Sequence, residues 1–310
     1  MMNRRSLYAL CALFALAQGC NDAARTGATP DIKMLSVANA SGLTLRVADE
    51  HAAPALWLSI PGQPSGHDAV FILLPEHVTV RKHNTNEVEH LYLWRSGQAG
   101  SRSNWVRIGN SLQYTTDFQS GIHLLARATL EPDGVLYHYE FYNGSDIDLD
   151  SVQTITDPRM LSPMLHDVRL ERTYVHSPQG FVLLASDTPE RLTMPLSDWL
   201  PNRYRISYTW PVNKTRKERQ EDGVTFYNAS HRTDEPVIAT VSTDHHWIMA
   251  TFSRQPGNLW TNPELTCQHA DPDISVPRHK TGVIEEKMLL FPGTLDDVLG
   301  KVHQQQSSLN

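Results

Sequence analysis

Between residues 40 and 292 the chain consists of short apolar or alternating stretches rich in Val, Ile, Leu, Tyr and Trp, separated by clusters of Gly, Pro, Asn and Asp. Period-two alternation places successive side chains on opposite faces of an extended chain, so the pattern predicts the many short strands of an all-β sandwich or barrel. Strands are predicted at 43–47, 55–60, 70–74, 78–81, 89–95, 105–108 and 112–116, and again at 172–175, 181–185, 204–209, 224–227, 237–242, 247–253 and 281–290. Between these groups lies the clearest hairpin, in which 122–130 and 135–142 flank Glu131-Pro132-Asp133-Gly134, a strong turn signal. In its second strand, alternation puts Tyr137, Tyr139 and Phe141 on one face and His138, Glu140 and Tyr142 on the other.

After Asn143-Gly144-Ser145-Asp146 a further strand is predicted at 149–155. Residues 157–167, with Pro158 and Pro163, read as a rim loop carrying a short helical turn, and the charged run at 214–222 reads as a solvated surface loop. One α-helix is predicted at 294–306, where Thr294 can cap, Asp296 and Asp297 suit the first turn, and Leu295, Val298, Leu299 and Val302 recur at helical spacing. It should lie on a sheet surface. With no linker-like break in composition, residues 36–306 read as a single domain.

The densest chemistry lies in 260–272, where Trp260, Glu264, Cys267, His269 and Asp271 crowd into a proline-containing stretch. Pro263, Pro272, Asn262 and Asp271 argue for a turn-rich loop without a regular ladder, the kind of segment on which binding groups are displayed. Imidazole and carboxylate suit proton transfer, so His269 and Glu264 are the candidate acid and base. The competing explanation is that Asn262, Glu264, Gln268 and Asp271 hold the loop's own backbone. Neither a cofactor nor a metal is expected, since HExxH, a cysteine pair and a closely spaced ligand set are all missing from the sequence. Cys267 is read as a small buried thiol.

Asp244-His245-His246-Trp247 reads as a hairpin tip. His90, Tyr92 and Trp94 share a strand face that could stack on a sugar ring, and His138 and Glu140 could wall a concave surface. Arg81, Arg159, Arg169 and Arg172 are candidates for pairing with an acidic sugar or with surface acids. A serine hydrolase is disfavoured, because the chain has no Gly-x-Ser-x-Gly elbow.

Many long strands, a hairpin ending in Asn143-Gly144-Ser145-Asp146, and strand faces rich in aromatic and histidine residues together resemble the galactose mutarotase-like β-supersandwich, across residues 40–292. The resemblance implies a large two-sheet sandwich with short helical insertions and a concave carbohydrate-binding groove. The block from Val241 to Trp247 and from Gly257 to Pro272 also looks like that of uncharacterised exported bacterial proteins. In the mutarotase family the catalytic histidine stands in a Thr-Asn-His context, whereas the matching stretch here is Gln153-Thr154-Ile155-Thr156-Asp157-Pro158-Arg159, without histidine. That family's chemistry therefore does not carry over on this motif.

At the N-terminus, Arg4 and Arg5 precede an uncharged run from Leu7 to Ala17, the pattern of a signal peptide over residues 1–19. Two processing readings stand side by side. Ala15-Leu16-Ala17 suits a simple cut, and Leu16-Ala17-Gln18-Gly19-Cys20 resembles a bacterial lipobox, which implies lipidation of Cys20 and a flexible tether over 20–35. In the lipoprotein form Cys267 is the one cysteine left for the folded part, so no intramolecular disulfide is expected. Loss of Arg4 and Arg5 makes the chain two units more negative than its formal charge of -7, which disfavours nucleic acid as a partner.

Together these readings predict an exported, lipid-anchored envelope or periplasmic protein that binds or processes a sugar or uronic-acid polymer. His269 and Glu264 would act at the site, and Trp260, Asn262, Asp271, His90, Trp94 and His138 would contact the ligand. An enzyme of this kind would be of lyase, hydrolase or epimerase type. The alternative is a non-enzymatic envelope protein that uses the sandwich to bind a protein or polysaccharide partner, with 260–272 purely structural.

Overall fold

The computed structural model describes residues 35–48, 53–62, 69–93, 104–187, 204–209, 217–221, 224–228, 233–254, 256, 258–262 and 265–310. The strands follow the sequence as β1 (Ser36–Ala38), β2 (Thr44–Val47), β3 (Ala55–Ser59), β4 (Val70–Lys82), β5 (Val88–Leu91), β6 (Val106–Ile108), β7 (Ser111–Asp117), β8 (Ile122–Glu131), β9 (Gly134–Asn143) and β10 (Leu149–Arg159). Then come β11 (Thr173–Ser177), β12 (Gly180–Leu183), β13 (Tyr204–Thr209), β14 (Lys217–Glu221), β15 (Val224–Asn228), β16 (Val237–Val241), β17 (Trp247–Ser253), β18 (Asn258–Asn262), β19 (Cys267–His269), β20 (Asp273–Val276) and β21 (Thr281–Pro292). A one-turn helix α1 (Leu184–Asp187) follows β12, and α2 (Leu295–Gln305) lies near the C-terminus.

These strands form two large sheets. The first has twelve strands in the order β1-β2-β3-β4-β10-β19-β18-β13-β15-β14, with β5 added to β4 and β20 to β10. The second has nine, in the order β12-β11-β16-β17-β21-β9-β8-β7-β6. The architecture is the all-β, two-sheet sandwich that the alternation implies. Leu45, Leu56, Val70, Ile72, Val78 and Val80 from the first sheet bury against Leu124, Tyr137, Tyr139, Phe141, Met288 and Leu290 from the second in one continuous core. Each such side chain contributes roughly 1.5–3 kcal/mol by leaving water. Tyr137, Tyr139 and Phe141 point inward together, as the sequence predicts, and the Pro132-Asp133 turn joins β8 to β9.

Gly134 closes that turn at φ 152° with its Cα against the facing strand, where an added Cβ would lie 1.9 Å from the Met288 carbonyl oxygen. Only glycine fits there. Helix α2 begins with a capping box, in which Thr294 Oγ1 accepts from the Asp297 N–H at 3.3 Å and Asp297 Oδ2 accepts from the Thr294 N–H at 2.8 Å. Its buried Val298 and Val302 pack with Phe252, Leu289 and Phe291 on the nine-stranded sheet.

Four sequence expectations change. The strands predicted at 70–74 and 78–81 are one strand, β4, which runs through Pro75 and pairs with β10 from Leu149↔Lys82 to Arg159↔Phe71. The loop predicted from 157 begins instead as the end of β10. The register shift between Ile155 and Asp157 sets Thr156 against Leu74, Pro75 and Glu76, so the irregularity falls at Pro75 of β4, while Pro158 stays in the ladder opposite Ile72. Within the charged run, Lys217–Glu221 forms β14 at the open end of the twelve-stranded sheet, where charge deters pairing with a further strand.

Lastly, 260–272 is no free loop. Strands β18 and β19 pair antiparallel with Trp260 opposite His269, β19 meets β10, and the turn between them ends at Thr266 with φ 49°. Pro272 forms an isolated antiparallel bridge with Pro256, and Pro263 lies outside the described residues. Among the described residues no helix is long and apolar enough to cross a membrane.

Candidate functional site

Three adjacent strands of the twelve-stranded sheet assemble the site. Because Trp260 and His269 are opposite one another on β18 and β19, their rings share a face, and they stack with centroids 3.4 Å apart and planes 3° from parallel. Trp260 Nε1–H donates to Asp271 Oδ2 at 3.0 Å. The two nitrogens of His269 then face two carboxylates, Nδ1 lying 3.6 Å from Asp271 Oδ1 and Nε2 lying 3.6 Å from Asp157 Oδ1. These separations are slightly beyond hydrogen-bond length. The far oxygen of Asp157, Oδ2, accepts from Arg159 Nε at 2.6 Å, and the same guanidinium lies 3.6 Å from Glu76.

The cluster is dry. His269 is 1% exposed, Asp157 2% and Asp271 3%. Burial alone would lower the affinity of His269 for its proton, but the Cys267 sulfur and the Asp271 and Asp157 carboxylates override it and hold the imidazole pKa well above the ordinary histidine value. For Asp157, burial opposes ionisation, yet His269 and the Arg159 guanidinium prevail and its pKa falls below the usual carboxylate range. The imidazole thus lies buried between two carboxylates.

Behind this cluster, toward the second sheet, Glu286 alternates with Ile284 and Met288 on β21 and so enters the core between the sheets. Burial and the neighbouring Asp271 charge push its pKa well above the carboxylate range, and Thr154 Oγ1 donates to it at 3.3 Å. Gln268 also reaches the second sheet, donating to Thr240 Oγ1 at 2.8 Å, and so ties β19 to it.

A cleft of about 210 Å³ opens beside Trp260, which is itself 7% exposed. Strands β4 and β5 supply His77, Thr79 and His90 to it, β10 supplies Gln153 and Ile155, and Trp260 and Asp271 complete the lining. His77 meets His90 edge-on at 5.0 Å and lies 5.0 Å from the Tyr92 ring, while Thr79 Oγ1 is 3.0 Å from His90 Nδ1. A space below the ~300–1,000 Å³ of drug-sized ligand sites takes one small ring.

A larger cleft, about 490 Å³, lies beside α2, but the charged groups at its edge satisfy one another: Lys287 pairs with Glu131 and Asp133, and Lys301 with Asp133. Its chemistry is that of a structural staple.

In structure the chain is similar to a galactose mutarotase related enzyme from Lactobacillus acidophilus, at 9% identity over 84% of this chain and 98% of that one, with a TM-score of 0.48. A candidate aldose 1-epimerase from Escherichia coli K12 gives 12% identity over 84% and 99%, with a TM-score of 0.46. A galactose mutarotase-like protein from Clostridium acetobutylicum gives 8% over 84% and 98%, with a TM-score of 0.38. The likeness is one of fold. No protein-family model and no curated protein matches the chain.

Of the residues expected at the site, Trp260, Asp271 and His90 line one cleft, and His269 lies directly beneath Trp260. His138 does not join them. It sits on the face of β9 opposite Tyr137 and Tyr139, held by Glu285 at 2.7 Å and Glu140 at 3.0 Å. Asn262 belongs to β18 by its backbone, and Glu264, Trp94 and Cys20 lie outside the described residues. The tip at Asp244 is structural, with Ser242 Oγ accepting from the Trp247 N–H at 2.9 Å and the His246 N–H at 3.2 Å.

Sequence reasoning missed Asp157, Glu286, His77 and Gln153. His77 and Thr79 alternate with the buried Val78 and Val80, so extending the 78–81 pattern by one residue would have found His77. Nothing local marks Asp157, whose proline neighbour suggests a loop.

Proposed function

We propose that this chain binds a sugar or uronic-acid unit in the cleft lined by His77, His90, Trp260 and Asp271, and that it is an exported protein anchored through lipid on Cys20. The observation that carries the reading is Trp260, fixed by its stack on His269 and its hydrogen bond to Asp271, at the edge of a small polar cleft. Sugar recognition needs an aromatic face for the ring's C–H groups and convergent polar atoms for its hydroxyls. The cleft supplies both. Its size accommodates one ring, so a polymer would present a single unit or an end. A resemblance to carbohydrate-active sandwiches is consistent with this reading.

For turnover on a sugar, the proton-handling groups that reach the cleft are His77, His90 and Asp271. His269, covered by Trp260, acts as a positioning residue that sets the orientation of Trp260 and the charge around Asp271. In a thermal-shift screen of neutral sugars, uronic acids and short oligomers, one class raises the melting temperature of the wild type, and Trp260→Ala loses at least ten-fold in affinity for it. If no member shifts the protein, the non-enzymatic reading with a protein partner takes its place. The anchor is tested separately: Cys20→Ser should release the protein from the membrane fraction, and a variant that stays bound removes lipidation from the account.

A further inference from the structure

We propose that Asp157, Cys267 and His269 form a site for one divalent transition-metal ion of the zinc, cobalt or iron(II) class. This goes beyond the sugar reading and does not depend on it. One ligand atom from each of the three residues lies within 4.8 Å of the other two, and all three residues are buried. Ligands around a tetrahedral ion with bonds of ~2.0–2.3 Å stand roughly 3.3–3.8 Å apart, so the cluster needs to contract by about 1.5 Å at most.

A second observation points to a cation independently of that spacing. Asp157 Oδ1 and both nitrogens of His269 are buried without a hydrogen-bond partner among the described residues, and Asp157 Oδ1 and His269 Nε2 face each other. Buried polar atoms that lack a partner are costly and call for a ligand.

The surroundings match what a metal ligand set requires. Arg159 occupies Asp157 Oδ2 and so fixes the carboxylate with Oδ1 turned into the cluster. Asp271 faces the remaining nitrogen of His269, the carboxylate–histidine arrangement that orients a metal-binding imidazole. Trp260 packs flat on the ring and keeps water away.

Thiolate, imidazole and carboxylate together select borderline ions over calcium or magnesium. Two carboxylates and a sulfur surround His269 and suit the cluster to one cation. Three protein ligands leave a fourth coordination position open.

The test uses the full chain after chelator treatment. Cobalt(II) is added and the spectrum followed, with zinc(II) as competitor. We expect one ion per chain, visible d–d bands of a four-coordinate ion, and a near-ultraviolet thiolate-to-cobalt charge-transfer band that zinc removes. Cys267→Ser, nearly isosteric, abolishes the charge-transfer band and weakens zinc binding at least a hundred-fold, while His269→Gln weakens it at least ten-fold. Retention of the band in Cys267→Ser assigns the ion to another cysteine and overturns the proposal. So does the lack of saturable one-to-one binding by the wild type. Since no sugar is involved, failure here leaves the cleft reading standing, and failure of the sugar screen leaves this one standing.

Discussion

Replacing Lys287 with alanine lowers the stability of the protein by about 3 kcal/mol, because it empties the buried space of the lysine stem and takes the shared cation from two half-buried acids. Lys287 is 1% exposed and pairs with Glu131 and, at 2.9 Å, with Asp133 in the turn of the β8–β9 hairpin. Asp133 also accepts from Lys301 at 2.8 Å and Gln305 at 2.9 Å, so one aspartate links hairpin, sheet and C-terminal helix. Burial opposes ionisation of Asp133, but Lys287 and then Lys301 outweigh it and hold its pKa at about 2.

A depressed carboxylate contributes stability above its unfolded value and loses it as the pH falls through the folded one. The wild type therefore loses stability between about pH 4 and pH 2 from this group. In Lys287→Ala that acid limb is shallower. Lys287→Met, which keeps the stem, restores most of the packing and costs less than the alanine variant. Urea denaturation at pH 7 and pH 3 measures both effects. An alanine variant within 0.5 kcal/mol of wild type, a margin usual for surface substitutions, would contradict the role of the staple.

Asp157→Ala has the second large effect, a loss of about 3–5 kcal/mol in the metal-free protein. It removes the buried carboxylate shared by Arg159 and His269, leaving the part-buried guanidinium with Glu76 and the buried imidazole with Asp271 as their remaining acids. Asp157→Asn keeps the shape and one acceptor oxygen, and should fall between wild type and alanine. The ordering is the informative part. An asparagine as stable as wild type would mean that volume, not charge, matters at this position. Chemical denaturation with chelator present reads it directly.

The two sheets were legible because alternation between apolar and polar residues is a local signal. Tyr137, Tyr139 and Phe141 declare their common face within five residues, and Gly134 marks the turn that no other residue fits. The helix announced itself through Thr294 and its carboxylates in the same way. Prolines misled the reading twice, at Pro75 and Pro158, since a proline within a strand carries the same signature as one in a loop.

The site was legible in part for a related reason. Trp260, His269 and Asp271 are close in sequence and draw attention to one another. Their partners Asp157 and Arg159 reach them from β10 through its pairing with β19, and Glu286 from β21 across the sandwich, contacts that exist only in the assembled fold. His138 shows the converse. Alternation assigned it correctly to the face opposite Tyr137 and Tyr139, but could not tell that this face looks away from β18 and β19.

The central claim is that a sugar ring packs on Trp260. The indole N–H of Trp260, hydrogen-bonded to Asp271, gives a proton–nitrogen NMR signal that Trp260→Phe assigns by its disappearance. Titration with the sugar class that stabilises the protein should move this signal in a saturable way while most other tryptophan signals hold still. A sugar that stabilises the protein to saturation without moving the Trp260 signal binds elsewhere, and would contradict the assignment of this cleft.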